Sequence, residues 1–185
     1  MLGVVIAGAA LLLSQAEEPA VGAAIPSTTT SPTRVEVPEN DVYASLVRNL
    51  LQGWGGPWKG TVYVSTRICT DGSLHDFEPM CSGSLTEEDR LALVARLPDL
   101  DLHFTKNPDK IITIELMEQQ MKLGGGYRIR PAVIQLGPIV EAADELHVEA
   151  SFSCGYTCGF GTTWVLRHRS EGWTVTGSVG DYWQS

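Results

Sequence analysis

A chain of 185 residues with 13 Lys and Arg against 22 Asp and Glu carries a formal net charge of −9. Neither sign is gathered into a stripe or block, which excludes the basic footprint of a nucleic-acid binder and gives no attraction to an anionic membrane surface. A hydrophobic content of 43% with five Trp supplies one domain with its own core, and nothing in the chain is an internal repeat.

The chain opens on an apolar run, Leu2 to Leu13, followed by Ser14-Gln15-Ala16 and then Glu17-Glu18. The run is shorter than the roughly 20 residues a membrane span needs, and small residues at Ser14 and Ala16 fit a signal-peptidase site. The basic residues that usually precede such a run are missing, so residues 1–16 read as a signal peptide or, uncleaved, a short anchor. No cysteine follows closely enough to carry a lipid. Residues 17–40 are dominated by Ala, Pro, Ser and Thr and contain no aromatic side chain, the composition of a flexible tether. Residues 41–185 form the expected single folded domain.

Asn40 or Asp41 is placed to cap a helix from Val42 to about Gln52, with Val42, Leu46, Val47, Leu50 and Leu51 along one stripe. Gly53-Trp54-Gly55-Gly56-Pro57 ends it, and a strand from Thr61 to Ile68 follows, closed by Cys69. Asp71-Gly72 is a turn, and residues 73–83 are a loop carrying His75, Asp76, Glu78 and Cys81. Ser84-Leu85-Thr86-Glu87 reads as a capping box for a helix reaching Leu97, whose buried face would be Leu91, Val94, Ala95 and Leu97. Pro98 stops it. Leu100, Leu102 and Phe104 alternate as a short strand, Asn107-Pro108-Asp109 is a turn, and Ile111 to Leu116 is a further strand. Met117 to Leu123 is ambiguous before the break at Gly124-Gly125-Gly126. Ala132 to Val140 is strand again, with Gly137-Pro138 marking a bulge or an edge.

Strand pattern, turn chemistry and cysteine spacing agree best over the last forty residues. Leu146, Val148, Ala150 and Phe152 alternate with His147, Glu149, Ser151 and Ser153. Thr163, Val165 and Arg167 alternate with Thr162, Trp164 and Leu166. A third strand sets Trp173, Val175 and Val179 against Thr174, Thr176 and Ser178. Gly172 closes the hairpin Arg169-Ser170-Glu171-Gly172, and the tip between the first two strands is Cys154 to Gly159. Trp164 and Trp173 are expected core residues. Helices early and antiparallel strands late make the fold α+β, a curved meander with helices on its concave face. Cystatin-like and cone-like folds share that order, an analogy of architecture and not of function.

Four cysteines behind an export signal read as disulfides, and the most economical of three connectivities joins Cys69 to Cys81 and Cys154 to Cys158. A zinc site using His75 between Cys69 and Cys81 is the competing reading, disfavoured because the gap exceeds the C-x2-4-C spacing of structural zinc pairs. His75, Asp76 and Glu78 with Asp71 could form an acid–base cluster, but a solvated loop explains them as well. No Gly-x-Ser-x-Gly elbow is present, and Gly124-Gly125-Gly126 lacks the helix that would make it an anion cradle. No residue is assigned a catalytic or metal-binding role and no cofactor is expected. Tyr156, at the apex of the hairpin tip, and Phe160, just beyond it, are the candidate binding residues, because an aromatic on a rigid tip docks at little entropic cost.

Gly172-Trp173-x-Val175 followed by Gly180-x-x-Trp183-x-Ser185, behind a Cys-Gly and glycine-rich hairpin, resembles the tails of small exported bacterial proteins without an assigned function. The resemblance covers about the last fifty residues and implies a secreted or cell-envelope setting; it transfers no catalytic residue. The leading expectation is therefore an exported, disulfide-stapled domain that binds an envelope protein or a small ligand, with no nucleic-acid partner and no membrane contact except through an uncleaved N-terminal segment. A small hydrolase or metal-dependent enzyme built on the His75 loop is the alternative.

Overall fold

The computed structural model describes residues 37–53, 57–70, 80–111, 130–155 and 158–184. The expected leader, nearly all of the tether, residues 73–79 of the expected loop with His75, Asp76 and Glu78, residues 112–116 of an expected strand, the triple-glycine break and Tyr156 lie outside them. The end of that loop, Cys81 to Gly83, is strand instead. One compact unit spans Glu36–Ser185. Among the described residues it contains two α-helices and a mostly antiparallel seven-stranded sheet, an α+β fold. Among the same residues no helix is long and apolar enough to cross a membrane.

The first helix, α1, spans Glu39–Gln52 and so takes in the last residues assigned to the tether. Its N-cap is Pro38, with no side-chain cap, so neither Asn40 nor Asp41 has the expected role. Asn40 lies inside the first turn, where its amide donates to Asp89 at 3.2 Å. Glu39 and Asp41 place negative charge at the positive end of the helix dipole. The apolar stripe lies inside as the periodicity requires: Val42, Leu46, Val47, Leu50 and Leu51 are buried, and Tyr43 and Ala44 widen the stripe.

Strand β1 (Val62–Cys69) leads to β2 (Cys81–Ser84), and helix α2 (Glu87–Arg96) follows. The capping box is present but shifted: Thr86 is the cap and Asp89 its reciprocal partner, while Ser84 ends β2. The buried face of α2 also differs from the expected one. Leu93 and Leu97, four residues apart, join Leu85 in the core, whereas Leu91 and Val94 are exposed. The run Leu91-Ala92-Leu93-Val94-Ala95-Arg96-Leu97 carries two competing apolar faces, and packing against α1 selects one.

Next come β3 (Leu102–Thr105), a 3-10 turn (Pro108–Lys110), and the meander β4 (Ala132–Ala142), β5 (Glu145–Gly155), β6 (Cys158–Arg169) and β7 (Gly172–Gln184). The order across the sheet is β2-β1-β4-β5-β6-β7, with β3 also on β1. Two strands share one edge of β1: β3 runs parallel beside Val62 to Ser65, and β2 runs antiparallel beside Arg67 to Cys69. The β1–β4 pair is parallel as well, because the intervening chain returns to the same end of the sheet.

Even-numbered residues of β5 and β6 face the core, including Leu146, Val148, Ala150, Phe152, Cys154, Cys158 and Leu166. Register shifts beside Gly161 and Val165 interrupt the alternation of β7. Val179 is therefore exposed, while Trp173 and Val175 are only partly buried, so the single apolar face expected for that strand does not form. Trp164 is also half-buried, its indole N–H donating to the Ala150 carbonyl at 3.2 Å.

Candidate functional site

Aromatic side chains of the meander form a row that begins at Trp58, just before β1. Trp58, which is 5% exposed, meets Phe152 edge-on with ring centroids 5.4 Å apart. Phe152 lies 5.6 Å from Phe160, its direct cross-strand neighbour, and Phe160 lies 6.0 Å from Trp164 and 6.4 Å from Tyr182. Tyr182 stacks nearly parallel to Phe160 and is 57% exposed, so the row runs from the interior to the surface. Phe160 thus belongs to a strand face, with its ring half-buried. The tip is also shorter than expected, since Gly155 pairs with Cys158 and only residues 156–157 lie between the two strands.

Beside Trp58 the surface opens into a cavity of about 340 Å³, lined by Arg48, Leu51, Gln52, Pro57, Trp58, Asp99 and Leu100. Its apolar floor comes from the last turn of α1 and the segment leading into β1. Its polar rim is set by Arg48, whose guanidinium donates to both carboxylate oxygens of Asp99, at 3.0 and 3.3 Å, and to the Arg96 carbonyl at 3.0 Å. Those bonds, with the Asp41–Arg96 ion pair and the Asn40–Asp89 contact, tie α1 to α2 and brace the cavity wall. Among the described residues the buried Trp58 indole N–H has no hydrogen-bond partner, and Trp58 is a residue of the cavity wall. The sequence reading missed this site, because Arg48, Trp58 and Asp99 converge only after α1, the approach to β1 and the turn after α2 have packed. The bracketing of glycines by Trp54 and Trp58 was the one available signal.

The cysteines pair as Cys69–Cys81 and Cys154–Cys158, and no free cysteine remains. The pairs fit an oxidising environment. Cys154 and Cys158 are core residues, whereas Cys81 lies in a strand whose four residues are all exposed.

Two histidines pair with carboxylates. His147 lies 2.8 Å from Glu145, which also accepts from Arg167 at 2.9 and 3.0 Å; His103 lies 3.0 Å from Asp101, which accepts from Thr61 at 2.7 Å. His168 instead packs edge-on against Trp173, 5.2 Å away. Bonds from His147 first, and Arg167 second, hold the Glu145 carboxyl below the usual carboxylate range. The Thr61 hydroxyl, followed by His103, does the same for Asp101. Among the described residues, no three His, Cys, Asp or Glu side chains gather as a metal site.

The lowered Glu145 carboxyl has a consequence for acid stability. Because it is lower in the folded than in the unfolded chain, its contribution is complete above the ordinary value near 4.5 and is lost as pH falls through the lower folded value. Glu145→Gln should therefore melt slightly below the native protein at pH 7, and the two melting temperatures should converge on acidification below pH ~4. Thermal melts of both proteins across that window check this; a constant gap would contradict it.

No family model, curated protein or solved structure matches the chain.

Proposed function

We propose that this is an extracytoplasmic, disulfide-stapled binding domain whose cavity beside Trp58 takes a small organic ligand with a flat apolar body and a polar edge. The single observation that carries the reading is the cavity itself. At about 340 Å³ it lies within the size range of small-molecule sites, with an apolar floor and a few convergent polar groups at its rim. Asp99, the carboxylate in the described lining, is held at two points by Arg48, an arrangement suited to positioning a ligand. The two disulfides support a location outside the reducing cytoplasm, in agreement with the apolar leader of the sequence. A cone-like or cystatin-like curvature is consistent with α1 lying against both β4 and β7, which are separated in the sheet by β5 and β6.

The probe is 8-anilinonaphthalene-1-sulfonate, an aromatic body with an anionic edge, titrated by fluorescence into the folded protein. Gln52→Trp places a bulky ring at the rim from an exposed helical position, so it should weaken dye binding about tenfold, or by about 1.4 kcal/mol. Its melting temperature should stay close to that of the native protein. Equal dye affinity in the native and Gln52→Trp proteins would remove the cavity as the binding site.

A further inference from the structure

We infer that Cys69–Cys81 is a thiol-exchange site, opened by a low-molecular-weight thiol through attack on the Cys81 sulfur, while Cys154–Cys158 remains closed. Three observations carry this. The first is access. Cys154 and Cys158 are 1% and 2% exposed, and Cys69 is 2% exposed, but Cys81 is an exposed residue in an exposed strand. An incoming thiolate can therefore reach one side of one bond.

The second observation is charge. The Arg67 guanidinium donates to the Cys81 sulfur at 2.9 Å. A cation there attracts an attacking thiolate and stabilises a thiolate on Cys81 when that sulfur is later released. The third is the mechanical setting. Cys154 and Cys158 belong to the main hydrophobic cluster, whereas Cys69, although buried, lies outside that cluster and Cys81 is exposed. The β1–β2 pair is also held by backbone bonds from Thr70 to the Met80 carbonyl at 3.0 Å and from Leu85 to the Thr66 carbonyl at 2.8 Å. The bond can open without dismantling that cluster.

The chemistry balances with the thiol as the sole co-reactant. A thiolate RS⁻ attacks Cys81 Sγ, forming an R–S–S–Cys81 mixed disulfide; the Cys69–Cys81 bond breaks, and Cys69 leaves as a thiolate that takes a proton from water. A second RS⁻ attacks the outer sulfur of the mixed disulfide, giving RSSR and a Cys81 thiolate facing Arg67. Two thiols are oxidised to one disulfide, and the protein disulfide is reduced to two thiols.

The test uses the intact, oxidised protein and 2-mercaptoethanol, an uncharged thiol, in a graded series at pH 7, quenched with N-ethylmaleimide and mapped by peptide mass spectrometry. The expected result is a mercaptoethanol adduct on Cys81 and maleimide on Cys69, at thiol concentrations at least tenfold below those that open Cys154–Cys158. Arg67→Gln should slow the opening severalfold, and Arg67→Lys should recover part of the rate. Simultaneous opening of both disulfides, an adduct carried by Cys69, or an Arg67→Gln rate equal to the native one would each overturn the inference.

Discussion

Replacing Phe152 with alanine should destabilise the protein by about 3–5 kcal/mol, the range for removing a fully buried aromatic side chain. Phe152 is 0% exposed and is the hinge of the aromatic row, touching Trp58 on one side and Phe160 on the other. Its loss removes the buried ring area and leaves a void that the facing rings cannot fill without leaving their own contacts. Trp58 lines the ligand cavity, so the same change should also alter that cavity's floor. The expected readout is a melting temperature lower by on the order of 10 °C. Phe152→Leu, which retains most of the volume, should recover the larger part of the loss. A drop of under about 1 kcal/mol for the alanine variant would mean that the row is not part of the stabilising core.

Gly137→Ala should be the next most damaging change, at about 3 kcal/mol, the upper part of the usual range for overpacking. A Cβ at this position would lie 2.7 Å from the Glu149 carbonyl oxygen and 3.2 Å from the Glu149 Cβ, both on β5. Neither atom is the movable end of a side chain, so β4 and β5 would have to separate. The Gly137 carbonyl also accepts the buried Tyr43 hydroxyl at 3.1 Å, so movement of this backbone would disturb α1 as well. Burial drives the Tyr43 hydroxyl above its ordinary pKa, so it stays a donor throughout the range in which the protein would be handled. Tyr43→Phe removes that bond while leaving the close strand approach intact, and should cost only about 1 kcal/mol. Denaturant unfolding of both variants separates the two effects; equal losses would show that the hydrogen bond, and not the glycine, sets the cost.

The bulge at Gly137 shows what the residues alone could say. Gly-Pro inside an apolar alternating run announces an interruption, and β4 does shift register there, between Leu136 and Ile139. The reason a side chain is barred lies on β5, twelve residues farther along the chain, and appears only when the strands are in contact. The cysteine tip is a similar case. Cys154 continues the even-numbered inward face of Leu146 to Phe152, and Cys158 the face of Phe160 to Leu166, so parity alone assigns both sulfurs to the core side. Assigning Cys154 to Gly159 to the hairpin tip ends the strands too early, since Gly155 pairs with Cys158. The half-burial of Trp173 and the exposure of Val179 were not legible, because the register shifts between β6 and β7 depend on how two strands fit together.

By itself the sequence determined the α+β class, the buried stripe of α1 and the alternation of β5, because each of these is a periodicity of neighbouring residues obeying local geometry. Only the tertiary structure decided which of two apolar faces α2 buries, that β1 shares one edge between β2 and β3, and that Arg48, Trp58 and Asp99 enclose a cavity. Those features join residues tens of positions apart, and no local pattern encodes a contact whose two halves are chosen by packing.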